Sequence, residues 1–287
     1  MTDTATEPWA VDGTVDVALA EGVATVSLNR PPGNGWTPAL GEKFFDVLDD
    51  LAVDPRVRVL VITGAGRDFC VGADGGSLDN VADNGSYTIK KDRPTYWKAM
   101  TIGKPVIAAV NGACFGVGMQ LALMCDVRFA STSTKFATAF VRRGLIAELG
   151  MTWLLPRLVG VGIANDLLLS GRLVRAAEAA DLGLVNRVVQ DGELLSAATA
   201  YAGELAAKCS PAAMAVVKRQ TYVDLTSTLP AAVGRGDAYM EAALASEDFV
   251  EGVRSWQEKR PPNFRGLDPE RSTFTLPGGD ETEVGPT

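Results

Sequence analysis

Two apolar runs in this chain end abruptly in glycine clusters, and this limits the available folds more than any other feature. One reads Val59-Leu-Val-Ile-Thr-Gly64-Ala-Gly66-Arg-Asp-Phe69-Cys-Val-Gly72-Ala73-Asp74; the other reads Val106-Ile-Ala-Ala-Val110-Asn111-Gly112-Ala-Cys-Phe-Gly116-Val-Gly118-Met-Gln120. A continuous aliphatic run is what a strand covered on both faces requires. Glycine directly after such a strand allows a tight turn and a close backbone approach to a ligand. The spacing excludes two phosphate-binding loops. A G-x-G-x-x-G fingerprint needs its last glycine where Phe69 stands, the second cluster reads G-x-x-x-G-x-G, and neither carries the Lys-Ser/Thr of a P-loop. Spacing alone leaves two readings open. Either the glycines only make strand-to-helix turns, or two element ends with unpaired N–H groups face one point and hold a developing oxyanion.

Around these clusters the periodicity is that of an α/β core. Residues 14–20 and 23–29 read as a strand pair around Glu21-Gly22. Residues 38–52 read as a helix with Leu40, Phe44, Val47, Leu48 and Leu51 on one face. Residues 57–63, 105–110 and 127–130 read as strands, and 116–125 as a helix. Residues 75–93 have weak periodicity and read as a loop or mobile helix over a site. From about residue 194 the chain is helical and Ala-rich, with helices expected over 194–208, 211–225, 230–245 and 247–259. Repeated β-then-α followed by helices alone implies an α/β core with a helical appendage. The expected division is a core over 8–205, a helical region over 206–265 and a disordered tail over 266–287.

The 287 residues contain no histidine. That excludes a Ser-His-Asp triad, a Cys-His dyad and an imidazole-bound metal, so acid/base chemistry near neutral pH falls to a carboxylate, or to Lys, Tyr or Cys with a shifted pKa. The net charge of −8 argues against nucleic-acid or anionic-membrane partners. No apolar run approaches the roughly 20 residues of a membrane span, residues 1–7 lack the pattern of a signal peptide, and the cytoplasm is the expected location. Cys70, Cys114, Cys125 and Cys209 lack paired spacing and read as buried free thiols, with no metal site.

The segments 63–69 and 72–74, with Lys104-Pro-Val-Ile-Ala-Ala-Val-Asn-Gly112, Gly116-Val-Gly118, Leu123-Met-Cys-Asp126 and Trp153-Leu-Leu-Pro-Arg-Leu-Val-Gly160, resemble the crotonase (enoyl-CoA hydratase/isomerase) superfamily. The resemblance runs from about Asn29 to Arg260. It implies a ββα spiral core with a C-terminal helical trimerisation region, assembled as a homotrimer or a dimer of trimers. The implied substrate is an acyl-CoA thioester, with coenzyme A as part of the substrate and no tightly bound cofactor. The implied oxyanion hole consists of the backbone amides of Ala73 and Gly116, in a turn shared with Gly72.

By the same resemblance, hydratases of the superfamily use two glutamates, and both places differ here. Gln120 stands at the first and Phe140 at the second. Phe moves no proton, and a Gln amide is a very poor base, although it can hold a water. Eight residues beyond Phe140, Gly144-Leu-Ile-Ala-Glu148-Leu-Gly150 resembles peroxisomal-type Δ3,Δ2-enoyl-CoA isomerases, whose single catalytic glutamate lies at that place. Ile146, Ala147, Leu149 and Met151 give Glu148 an apolar local sequence, and burial in such a setting lifts a carboxyl pKa towards that of a reversible proton shuttle. The alternative is a helix N-terminal carboxylate facing water. The implied activity is isomerisation of an enoyl-CoA; hydratase-like or hydrolase chemistry, or a non-catalytic acyl-CoA-binding role, are the alternatives.

Further binding residues are expected from the resemblance. Trp256 and Lys259, in Ser255-Trp-Gln-Glu-Lys-Arg260, lie where the superfamily sets an aromatic and a lysine against CoA, and stacking on adenine with an ammonium on phosphate gives the physical reason. A solvated helix end is the competing reading. Arg30 is expected at the nucleotide end, and Asp74 is read as a helix cap or an acid beside the oxyanion turn. Tyr87, Tyr96 and Trp97 are candidates for the acyl pocket or for core packing.

Overall fold

The computed structural model describes residues 13–75 and 95–277; the segment expected over the site falls almost wholly outside this range, as does Tyr87. The elements run β1 (Thr14–Ala20), β2 (Val23–Asn29), α1 (Pro38–Val53), β3 (Val59–Gly64), α2 (Lys98–Thr101), β4 (Val106–Val110), β5 (Ala113–Phe115), α3 (Val117–Leu123), β6 (Val127–Ser131), β7 (Lys135–Ala137), α4 (Met151–Val159), α5 (Val161–Ser170), β8 (Val174–Arg175), α6 (Ala176–Asp181), β9 (Arg187–Val189), α7 (Leu194–Lys208), α8 (Pro211–Asp224), α9 (Leu229–Leu244) and α10 (Glu247–Gln257). A six-stranded sheet has the order β1-β2-β3-β4-β6-β9, parallel except for the β1–β2 hairpin, and a smaller sheet has the order β5-β7-β8. The units β4–β5–α3 and β6–β7–α4 each send one strand to the large sheet and the next to the small one, which makes the expected ββα spiral.

β3 shows why the large sheet lies between two layers. Alternate side chains point to opposite faces: Val59 and Val61 join Ile107, Ala109 and Phe129 beneath α7, whereas Leu60 and Ile62 face the larger core with α1. Ala198, Ala202 and Ala206 of α7, four apart, let that helix lie close on the sheet. α1 begins at Thr37, whose hydroxyl accepts from the Leu40 N–H, with Pro38 at the first helical position, a sequence-coded start.

The helices of the C-terminal region form where expected. The expectation of a disordered tail is corrected for its described part. Leu267 is buried, the Gly103 N–H donates to the Ser272 carbonyl at 2.6 Å, and the Phe274 N–H donates to the Thr101 carbonyl at 2.9 Å. The Pro, Gly and acidic content suggested a solvated tail, but Leu267 supplies an apolar anchor and the backbone bonds to the 101–103 turn do the rest.

Candidate active site

The turn after β3 is pinned from three sides. Asn111 accepts from the Gly64 N–H at 3.2 Å and donates to the Gly64 carbonyl at 3.0 Å. Asn34 donates to the carbonyls of Ala65 (3.0 Å) and Asp68 (2.6 Å), and the buried Asp68 carboxylate accepts from the Ala113 N–H at 2.9 Å. The chain then runs extended between Trp36 and β5. Cys70 bridges Cys114, and Ala73 bridges Trp36.

The bridge at Ala73 fixes the direction of its amide. The bonds are Trp36 N–H to Gly72 carbonyl (2.8 Å) and Asp74 N–H to Trp36 carbonyl (3.0 Å). In a parallel bridge of this form the central residue's own N–H and C=O point away from its partner. The Ala73 N–H is therefore on the side away from Trp36, where Gly72 abuts residues 115 and 116. A Cβ on Gly72 would stand 3.1 Å from the Phe115 carbonyl oxygen and 3.9 Å from Gly116 Cα. Gly72 thus joins the two glycine clusters.

Gly116 does not supply a free amide. Its N–H donates to the Ala137 carbonyl at 3.0 Å, continuing the β5–β7 pairing. This corrects the expectation from sequence. Gly116 is instead the N-cap of α3 at φ 50 and ψ −116, a conformation for which glycine is the fitting residue. The next amide, that of Val117, opens the helix and has no intrahelical acceptor. Sequence reasoning missed Val117; the signal was the helix start itself, since the first unpaired amide belongs to the first helical residue. Gly118 brings α3 against the 70–73 segment, because a Cβ there would fall 2.3 Å from the Cys70 carbonyl oxygen.

Phe140 lies half-buried against this turn, its Cε1 3.8 Å from where a Gly116 Cβ would be. Gln120, one helical turn along α3, is 1% exposed. Its Nε2 donates to the Leu149 carbonyl at 2.5 Å and its Oε1 is buried without a hydrogen-bond partner. Gln120 therefore reaches the residue next to Glu148. Glu148 itself is exposed in the single chain, in a stretch without regular structure where Ile146 is 81% exposed. The expectation of a buried apolar setting is corrected on this point: Ile146 is exposed with Glu148, whereas Leu149 and Met151 turn into the core and leave the carboxylate outside. Leu149 (φ 57) and Gly150 (φ 80) are both left-handed, and the Met151 N–H returns to the Glu148 carbonyl at 3.1 Å, so a tight turn leads into α4.

Arg30 and Asp74 are found together. The Arg30 Nη1 donates to Asp74 Oδ1 at 2.8 Å, with side chains 6% and 16% exposed, and lies 3.3 Å from the Gly35 carbonyl. A guanidinium buried against a carboxylate clamps the 72–74 turn to the β2–α1 connection. Trp36, with Phe44, Phe45 and Tyr96, forms an aromatic cluster with centroids 5.1–6.2 Å apart, edge-to-face except for the tilted Trp36–Tyr96 pair, and the Trp36 Nε1–H donates to the Tyr96 hydroxyl at 3.1 Å. This places Tyr96 in core packing beside the Ala73 bridge. Trp97 is exposed. Trp256 is 80% exposed on α10, with Lys259 exposed just beyond it. Cys70, Cys114 and Cys125 are buried free thiols, and burial pushes Cys70 and Cys125 up to about 12. None of them is a nucleophile near neutral pH.

The chain resembles known proteins over most of its length. Residues 18–267 match the family described as enoyl-CoA hydratase/isomerase. A Thermus thermophilus protein assigned as an enoyl-CoA hydratase is 38% identical over 254 residues, covering 84% of this chain and 97% of its own. The 1,2-epoxyphenylacetyl-CoA isomerase of Escherichia coli is 34% identical over 254 residues, covering 86% and 97%. The crystal structure of an enoyl-CoA hydratase from a Polaromonas species superposes with a TM-score of 0.82 at 29% identity, covering 88% of this chain and all of that one.

Proposed function

The chain belongs to the enoyl-CoA hydratase/isomerase family, and from that premise we propose that it isomerises a double bond in an enoyl-CoA, with Glu148 as the single proton carrier. The thioester carbonyl accepts from the N–H groups of Ala73 and Val117. Glu148 takes a proton from C2, the charge moves onto the thioester oxygen, and the same carboxyl returns the proton at C4. Each amide acts where charge develops, and one such donor is typically worth about 3 kcal/mol in the transition state.

The observation that carries this reading is what stands on the two segments that flank the turn. Gln120 is committed to the Leu149 carbonyl and Phe140 has no ionisable atom, so hydration by two carboxylates lacks both of its groups. Glu148 is the carboxylate left on those segments. The decisive measurement is uptake of deuterium from D2O at C2 of a 3-enoyl-CoA. Glu148→Gln keeps shape and polarity but cannot accept the proton; exchange should fall at least about a thousandfold with KM nearly unchanged. Turnover at the wild-type rate would remove Glu148 from the mechanism.

A second reading, hydration of a 2-enoyl-CoA, is favoured by the exposure of Glu148, which admits water to the carboxylate, and by the hydratase names of many relatives. It predicts a product heavier by one water, whereas isomerisation changes no mass in H2O. The proposal extends to assembly. Copies of the chain cover the exposed apolar residues of α9 and α10 as a homotrimer or a dimer of trimers, and Trp256 and Lys259 meet the nucleotide end of CoA there.

A further inference from the structure

We propose that Gln120 is the positioning residue that sets Glu148, acting through the Leu149 carbonyl; this rests on the reading of Glu148 as proton carrier. Gln120 and Val117 are three residues apart on α3 and so share one face of that helix. The helix end that carries the Val117 amide is therefore linked by one side chain to the turn that carries the carboxylate. Residues 144–148 are mostly exposed, and the turn that follows them is anchored in the core by the side chains of Leu149 and Met151. What ties that turn to α3 is the Gln120 Nε2 bond to the Leu149 carbonyl, next to a left-handed backbone that a branched residue rarely adopts.

The other half of the same side chain supports this. Gln120 Oε1 is buried and unpartnered, so it carries the desolvation cost of a buried acceptor. A methionine would fill the same volume without that cost. The amide's contribution is thus its donor, and its acceptor is the peptide beside Glu148.

The test compares Gln120→Met and Gln120→Glu with wild type, reading kcat and KM for C2 exchange across pH 5 to 8, with thermal melts as a folding control. Gln120→Met loses the donor, and kcat should fall about a hundredfold, as for a misplaced reacting group, with KM changed less than about twofold. In Gln120→Glu the protonated carboxyl donates to the Leu149 carbonyl and the ionised one cannot. Burial raises the pKa of such a group, so the ratio of variant to wild-type kcat should start near one at low pH and fall to the methionine level as pH rises. Of the ionisable groups beside α3, Cys70 and Cys125 are held up to about 12 and are silent in this window; dividing by wild type removes the pH effects common to both forms.

A wild-type kcat in Gln120→Met would overturn the proposal. So would a glutamate ratio that stays at the methionine level, or one that rises with pH because the new carboxylate itself takes the proton. If Gln120→Met does not fold, the glutamate series decides alone. If Glu148→Gln turns over normally, the reading of Glu148 falls; if Glu148→Gln is dead while Gln120→Met is normal, only the positioning role falls.

Discussion

Lys104, just before β4, shows how a single side chain records its surroundings. Its ammonium is buried and donates to the carbonyls of Leu51 and Asp54, both at 2.7 Å, tying off the end of α1. Burial pulls its pKa from 10.5 down to about 8. Between pH 8 and 10.5 the folded chain has released this proton and the unfolded chain still holds it. Stability then rises with pH, because the unfolded state binds more protons. The contribution is complete above the unfolded pKa and is lost as pH falls through about 8. Lys104→Met removes the titration, so the difference in urea-unfolding free energy between wild type and variant should grow in favour of wild type by about 1–3 kcal/mol from pH 7.5 to 10. A constant difference would mean the ammonium is not desolvated. The same attention to single groups separates Gly116 from Val117: adjacent amides, one already bonded to Ala137 and the other opening a helix.

At the scale of elements, α8 is held to the core by polar contacts in addition to its buried Pro211 and Ala215. Its buried Lys218 donates to the carbonyls of Ala99 (2.7 Å) and Lys104 (3.0 Å) and lies 2.7 Å from Asp126 Oδ2. Tyr222 donates to Asp126 Oδ1 at 2.8 Å and the Val106 N–H donates to Oδ2 at 2.7 Å. Burial lowers the Lys218 pKa while Asp126 opposes that shift. Breaking such a pair typically costs 3–5 kcal/mol because the remaining charge stays buried; Asp126 keeps two donors, so Lys218→Met should destabilise by about 3 kcal/mol in thermal or urea melts. A loss under about 1 kcal/mol would show that α8 docks by apolar contact alone. Sequence legibility also divides at this scale. β1, β2, β3, β4 and α7 carry enough residues for a period to show, and their expected bounds agree with the structure to within about two residues. β5 and β7 have three residues each, too few for any alternation, yet their register decides that the Gly116 amide is engaged. The choice between a buried Glu148 and one facing water was illegible for a related reason: in an irregular segment, apolar neighbours in sequence share no face. Arg30 and Asp74 lie 44 positions apart, and no local pattern announces their pairing.

For the whole molecule, the distribution of apolar surface on the last two helices sets a condition that one chain does not meet. α9 has no buried residue, and Val233, Met240 and Leu244 lie exposed at spacings of seven and four; on α10, Phe249, Val253 and Trp256 are exposed at spacings of four and three. These are one-face spacings, and the faces are apolar, in a chain that carries a net charge of −8. Apolar stripes of that kind on a soluble monomer mark an interaction surface. Further copies of the chain are the proposed cover, because the family resemblance makes this region the assembly element. Val253→Glu adds a charge in the middle of the α10 stripe, at a position exposed in the single chain. It should convert a trimeric or hexameric species to monomer in size-exclusion chromatography with light scattering, while a circular dichroism spectrum of the wild-type form shows that the fold persists. Loss of acyl-CoA affinity in the same variant would tie Trp256 and the nucleotide end of CoA to assembly; full affinity in a stable monomer would separate them. A wild-type chain that is monomeric at tens of micromolar would leave this apolar face without the proposed partner.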